Sequence, residues 1–180
     1  MAHIFTADLH FGHANIIDYC ARPFSSVEEM DQFQLSALQR HVGPADDLWI
    51  LGDVAFAKGR LQKDRAKAII EKIPGRKHLI SGNHDHSWLS REVQWESQEK
   101  MQEIRVGDQW LVLCHYPLMT WNRRRYGAIH LFGHVHDACK GYRQAVNAGV
   151  DWWDYRPARL DEVVARANAC EEMNFPPEAE

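Results

Sequence analysis

Five apolar runs in this chain stop abruptly at an aspartate, an asparagine or a histidine. Ala2 to Ala7 leads into Asp8-Leu9-His10, and Asp47 to Leu51 into Gly52-Asp53. Lys77 to Ser81 is followed by Gly82-Asn83-His84-Asp85, Trp110 to Cys114 by His115, and Ala128 to Phe132 by Gly133-His134-Val135-His136. Short apolar runs bounded by Gly, Asp and Asn read as buried strands. In α/β sheets ligands gather beyond the carboxyl ends of the strands, so residues far apart in sequence can converge on one edge.

The segments between these runs narrow the fold further. Ser25 or Ser26 can cap a helix that carries Val27, Met30, Phe33 or Gln34, Leu35 and Leu38 at helical spacing. Gly43-Pro44 breaks that pattern. Leu61 to Ile73 reads as a second helix, stopped by Pro74-Gly75. The order β-α-β-α-β predicts parallel strands with helices on their faces. The second half differs: Met101 to Val106 and Trp110 to Cys114, separated by Gly107-Asp108, predict an antiparallel hairpin. Gln144 to Ala148 reads as a further short strand. Leu160, Val163, Val164 and Ala167 share one face of a C-terminal helix. With no repeat, linker or low-complexity stretch, residues 1–173 read as a single domain and 174–180 as a polar, frayed tail.

Composition excludes several classes. A chain of 180 residues is one domain on length, able to bury about two-thirds of its unfolded surface. A net charge of −4 argues against a general polyanion binder while leaving room for a local basic patch. No apolar run approaches the ~20 residues of a membrane span. Met1 to Phe5 runs straight into the first motif without a signal-peptide pattern. Cys20, Cys114, Cys139 and Cys170 form no C-x-x-C pair. These features predict a cytoplasmic protein with reduced thiols, no membrane partner, and a monomeric or homodimeric state.

The ligand chemistry is specific. Asp, Asn and His together suit manganese, iron, zinc or nickel better than a thiolate-loving metal. Cys114 adjoins His115, but an alternating strand turns it the other way. Taken in order, D-x-H, G-D, G-N-H-D, a lone His and G-H-x-H resemble the calcineurin-like metallophosphoesterase superfamily. The stretch Thr6 to Ile17 resembles a compact bacterial and phage branch of it. The resemblance spans Asp8 to His136. It implies an α/β fold, a four-layer α-β-β-α sandwich of two mixed sheets flanked by helices. It further implies two divalent metal ions per chain, manganese first, with iron, zinc or nickel as alternatives. Asp8, His10 and His136 would hold one ion and Asn83, His115 and His134 the other, with Asp53 bridging both. Such a pair supplies hydroxide near neutral pH, and His84 would protonate the leaving oxygen or stabilise charge on the phosphate.

The activity so implied is hydrolysis of a phosphate ester, with nucleotides and nucleic acid among the possible substrates. A phosphodiester is favoured because no insertion is long enough to cap the site. A small-molecule phosphomonoesterase is the runner-up, and a non-catalytic, metal-bound interaction scaffold is the rival from another class. One departure stands out. Many members of the superfamily extend the second block to G-D-x-x-D-R-G, whereas this chain reads Gly52-Asp53-Val54-Ala55-Phe56-Ala57-Lys58-Gly59. Phe56 and Ala57 supply neither the carboxylate that supports the catalytic histidine nor the arginine that grips phosphate. Asp85 is a candidate supporting residue for His84, or equally a cap for the turn that follows. His13, one turn beyond His10, and Arg22, whose fork can bind phosphate bidentately, are candidate substrate contacts. So are Arg123, Arg124 and Arg125, flanked by Trp121 and Tyr126, a composition that suits phosphates and stacked bases. A solvated turn is the alternative for that cluster. Asp151 to Tyr155 reads as core packing in preference to a dimer surface.

Overall fold

The computed structural model describes residues 1–171; the tail at 174–180 and the expected domain end at 173 lie outside them. β1 (His3–Thr6), β2 (Asp47–Ile50), β3 (Arg76–Ile80) and β4 (Ser97–Glu99) run parallel. β10 (Ala158–Arg159) closes the first sheet antiparallel to β1. The second sheet has the order β5-β6-β7-β9-β8, from β5 (Met101–Val106), β6 (Gln109–Cys114), β7 (Ile129–Phe132), β8 (Gly141–Tyr142) and β9 (Ala145–Asn147). Its first pair is the expected hairpin, while β6-β7 and β7-β9 are parallel. Both sheets are therefore mixed, in an α/β sandwich.

Alternation along the strands decides the layering. Phe5, Trp49, Leu51 and Ile80 face Leu111, Leu113, Ile129, Leu131 and Val146 of the second sheet in one cluster. Ile4, Leu48, Ile50 and Leu79 point the other way, onto α2 (Val27–His41), α3 (Arg60–Glu71) and α4 (Ser87–Glu92). α5 (Leu160–Ala169) packs Val163 and Ala167 into the inter-sheet cluster. Trp121, Ala128 and Tyr142 cover the outer face of the second sheet at Val112, Phe132 and Ala145. α2 begins at Ser26, whose hydroxyl accepts the Glu29 N–H at 3.2 Å. Gln34, not Phe33, occupies its buried face. α1 (Asn15–Tyr19), α4, β4, β8 and β10 were not legible beforehand. Each is too short to show a period.

One polar row pins the register of the first sheet. His3, Asp47 and Arg76 are cross-strand partners. The Asp47 carboxylate accepts both Arg76 Nε and Nη2 at 2.8 Å, and lies 3.0 Å from His78 Nε2. The indole of Trp49 stacks on His78 and donates to His3 Nδ1 at 3.1 Å. A slip of one residue would turn every side chain to the opposite face, so this row also sets where the far ends of β1, β2 and β3 deliver their residues.

Burial pushes the Asp47 carboxyl up, but hydrogen bonds from His78 and Arg76 outweigh it and hold the group below its ordinary range. A carboxyl depressed on folding stabilises above its unfolded pKa and loses that contribution as pH falls through the folded value. Asp47→Asn is expected to cost ~1.5–3 kcal/mol at pH 7, the usual worth of hydrogen bonds to a charged group. In urea titrations the gap to the unsubstituted protein should narrow below about pH 4. A gap unchanged between pH 7 and pH 3 would show that the charge on Asp47 plays no part.

Candidate metal centre

The loops that follow β1 and β2 run side by side. Asp8 donates its N–H to the Gly52 carbonyl at 3.1 Å, His10 to Asp53 at 2.9 Å and Phe11 to Val54 at 3.0 Å. Carboxylates tie in the remaining loops. Both oxygens of Asp8 accept the His134 N–H at 3.0 Å. Asp53 Oδ1 accepts the His84 N–H at 2.9 Å. Asp85 accepts Gly82 N–H at 2.8 Å and the N–H groups of Asp53 and Val54 at 2.9 Å. Asp8, His10, Asp53, His134 and His136 all have φ between 46° and 72°, the left-handed region that costs non-glycine residues about 1–2 kcal/mol each. Such strain persists only where surrounding contacts over-determine it, and it concentrates at functional sites.

The glycines of the motifs answer to sterics. A Cβ on Gly82 would lie 2.4 Å from Asp53 Oδ1, and one on Gly52 2.4 Å from His115 Nδ1. On Gly133 it would meet Asp8 Oδ2 at 2.6 Å. Each glycine is what lets one loop close on the next loop's functional side chain.

The outcome is a knot of donor atoms. Ligand atoms of Asp8, His10 and His136 lie within 4.8 Å of one another, as do those of Asp8, Asp53 and His115. Asp53 Oδ2 stands between two imidazoles, 3.6 Å from His10 Nε2 and 3.5 Å from His115 Nε2. Asn83 Oδ1 is 3.0 Å from His115 Nε2 and 2.9 Å from His134 Nδ1. His10 Nε2 is buried with no hydrogen-bond partner. A buried polar atom left so is costly, and a cation at this point would satisfy it. The donors are oxygen and imidazole nitrogen, which fits a divalent transition metal. Neighbours already turn the rings: His115 Nδ1 bonds the Leu51 carbonyl at 2.8 Å, and His10 Nδ1 lies 3.2 Å from His13 Nδ1. Each leaves Nε2 toward the knot, the orientation that outer partners impose on ligating histidines.

Burial dominates the titration. It pushes Asp8 up to about 6 and His10 down to about 2, so the imidazole is neutral and able to ligate. Burial would also raise Asp53, but the nearby His115 ring and the His84 N–H hold it down to about 2. A cleft of about 580 Å³ opens over this knot, lined by His10, His13, Phe56, Lys58, His84, His134 and His136 among others.

The structure thus brings together Asp8, His10, Asp53, Asn83, His115, His134 and His136, with His84 facing the same cleft. His13 lines the cleft too, although its ring is stacked on Phe56 at 4.2 Å and turned toward His10. Arg22 requires correction. Its side chain is fully buried and forks onto Asp151 through Nε at 2.8 Å and Nη2 at 3.0 Å. Nη2 also donates to the Asp8 carbonyl at 2.8 Å and Nη1 to that of Leu9 at 3.4 Å. With every donor facing protein, the guanidinium cannot reach a phosphate. Arg123 and Arg124 lie over the rings of Trp110 and Trp121, on the second sheet's outer side. Neither they nor Arg125 are among the residues lining the cleft. Asp85 clamps loops and makes no hydrogen bond to the His84 ring. Trp153 is buried in the core, as the packing reading anticipated.

Sequence reasoning missed Asp151, Phe56, Lys58 and Tyr19. Phe56 and Lys58 lie in the second block, which was read only for what it lacks. Tyr19 ends a helix too short to detect, and Asp151 was hidden in an aromatic run.

No family model matches the chain. It is 32% identical to the uncharacterized protein MJ1445 of Methanocaldococcus jannaschii over 88% of this chain and 86% of that one. It is 31% identical to the gene 66 protein of Mycobacterium phage D29, over 93% and 96%. The chain belongs to the family of MJ1445 and the gene 66 protein. Among solved structures it is similar to the protein of unknown function AQ665 from Aquifex aeolicus. The TM-score there is 0.74, with 26% identity over 92% of this chain and 98% of that one. Looser likenesses join it to YfcE, a phosphoesterase from E. coli (TM-score 0.48, 17% identity, 83% and 78% covered), and to the Pseudomonas putida nuclease MPE (0.45, 21%, 74% and 61%). Among the described residues no helix is long and apolar enough to cross a membrane.

Gly82→Ala is expected to cost ~1–3 kcal/mol, as overpacking does, and to weaken divalent-metal binding, since the new methyl displaces Asp53. Gly107→Ala, at the hairpin turn with φ +60° and open space around it, should cost stability without touching metal affinity. Thermal unfolding and manganese titration of both variants check this. Equal metal affinity in the two would dissociate Gly82 from the centre.

Proposed function

We propose that the protein is a metal-dependent phosphoric ester hydrolase of the calcineurin-like metallophosphoesterase superfamily, acting preferentially on phosphodiesters. The observation that carries this reading is the convergence of seven residues with oxygen and nitrogen donors, Asp53 among them, with His10 Nε2 buried and unsatisfied. Asp8, His10 and His136 would hold one divalent ion, and Asn83, His115 and His134 the other. Asp53, facing both groups, would bridge them. Manganese is the first candidate, with iron, zinc and nickel after it. When bound, such a pair neutralises phosphate charge and acidifies a water molecule.

The chain's own residues complete the site. The His84 ring stands 5.6 Å from His10 and 5.8 Å from Phe56, with its backbone N–H anchored on Asp53. It would deliver a proton to the leaving oxygen. Among the described residues Lys58 is the one lysine or arginine on the cleft lining, its ammonium above the Phe56 ring at 5.3 Å. It would attract the phosphate, and Phe56 would form an apolar wall beneath the second ester group. The cleft volume lies in the range of sites that take small organic ligands, which supports an ester of about nucleotide size.

Asp53→Asn is expected to lower metal content and abolish hydrolysis together, because one carboxylate serves both ions. His84→Ala should keep the metal and lose ~10²–10⁴ in rate, the usual worth of positioned acid–base help. That loss should shrink for a leaving group of low pKa. Turnover of a chromogenic phosphodiester and of the matching monoester, with metal analysis, checks both variants. Metal binding without turnover of either ester would favour the scaffold reading, and faster monoester turnover the monoesterase.

Lys58→Met is expected to raise KM about three- to ten-fold with kcat little changed, as loss of one charge-assisted contact does. An unchanged KM would remove Lys58 from the substrate site.

A further inference from the structure

Arg22 and Asp151 form a buried ion pair that the chemistry above does not use. Their side chains are 0% and 3% exposed, and the fork is bidentate. Burying two charges is costly unless their geometry is tight and their remaining donors are satisfied; here both conditions hold. The pair touches three parts of one ligand group. Arg22 Nη2 and Nη1 hold the Asp8 and Leu9 carbonyls, in the segment whose Asp8 and His10 are left-handed. Asp151 Oδ2 faces His136 Nδ1 at 3.4 Å. The residue after Asp151 reaches the same loop, as Trp152 Nε1 donates to the His136 carbonyl at 2.8 Å.

In the opposite group the His134 N–H also rests on Asp8, but the other members are held by other atoms. His115 is turned by the Leu51 carbonyl, while Asn83 and Asp53 sit on loops clamped by Asp85. Arg22 and Asp151 make no hydrogen bond to any of these.

We propose that Arg22 and Asp151 are positioning residues for one half of the dinuclear centre, the half made by Asp8, His10 and His136. The proposal rests on the two-metal reading. Asp151 accepts a hydrogen bond from His136 Nδ1–H, which leaves Nε2 as the ligating nitrogen and makes it more basic. Arg22 fixes the backbone from which Asp8 and His10 project. Losing the pair therefore weakens one ion selectively and leaves the other in place.

The test uses the whole chain, stripped with a chelator and titrated with manganese. Calorimetry reads the two affinities, and electron paramagnetic resonance reads whether the ions are coupled. Either single neutralising substitution strands a buried charge, so the main variant is the double Arg22→Met, Asp151→Asn, which removes both. It should bind one ion as tightly as the unsubstituted protein and the other ~10–100-fold more weakly, the usual effect of losing an outer partner of a ligand. At one equivalent per chain its spectrum should be that of an isolated ion. Arg22→Lys keeps the charge but not the fork. It is expected to fold in any case and to show a smaller loss at the same ion.

Two tight, coupled ions in the double variant, or in Arg22→Lys if the double variant does not fold, would overturn the positioning role. Equal weakening of both ions would overturn its selectivity. An unsubstituted chain that binds no manganese, zinc, iron or nickel would overturn the function reading itself and this proposal with it.

Discussion

Both oxygens of Asp8 accept the N–H of His134, and this contact joins the two sheets at the edge where the chemistry gathers. β1 and β7 belong to different sheets. The His115 Nδ1 contact with the Leu51 carbonyl is a second such link, from the end of β6 to the end of β2. The Asp8 carboxylate is buried, so its hydrogen bond is stronger than it would be in water and more costly to leave unmade. Gly133 and Gly149 make room for it, since a Cβ on either would press on Asp8 Oδ2. Asp8 thus works twice, as a structural acceptor and as a candidate ligand.

The same economy recurs around the knot. Asp53 Oδ1 holds the His84 loop while Oδ2 faces two imidazoles. The left-handed backbone at Asp8, His10, Asp53, His134 and His136 stores strain in several places at once. The clamps from Asp85, Arg22 and the strand-end carbonyls offset it. A centre built so is preorganised, because side-chain directions are set by protein contacts and not left to solvent. The cost falls on foldability: the glycines beneath the loops tolerate no side chain, and the polar atoms have few alternative partners.

The recombination of roles along the second block follows from the same geometry. Phe56 stacks on His13, which turns toward His10. An aromatic wall thereby stands where the superfamily pattern carries a carboxylate, and Lys58 extends over it toward the cleft. The Asp85 carboxylate accepts three backbone N–H groups, an arrangement that only the meeting of two loops creates.

The sequence by itself determined the alternating parallel first half, the hairpin, the core faces and the eight residues at the strand ends. Those signals are local: apolar period, glycine and proline punctuation, and short motifs of ligand chemistry. Arg22 shows where locality fails. Beside Pro23 and Phe24 it reads as a free guanidinium. In the fold it is sealed between Asp8 and Asp151, a partner 129 positions away. Asp151 likewise reads as one acid in an aromatic run until His136 and Arg22 close on it. Arg123 and Arg124 read as a basic patch, yet Trp110 of β6 and the neighbouring Trp121 take their planar faces. Which charged groups face solvent and which are consumed inside depends on burial and on distant partners. Both exist only once the two sheets have packed, so only the tertiary structure decided them.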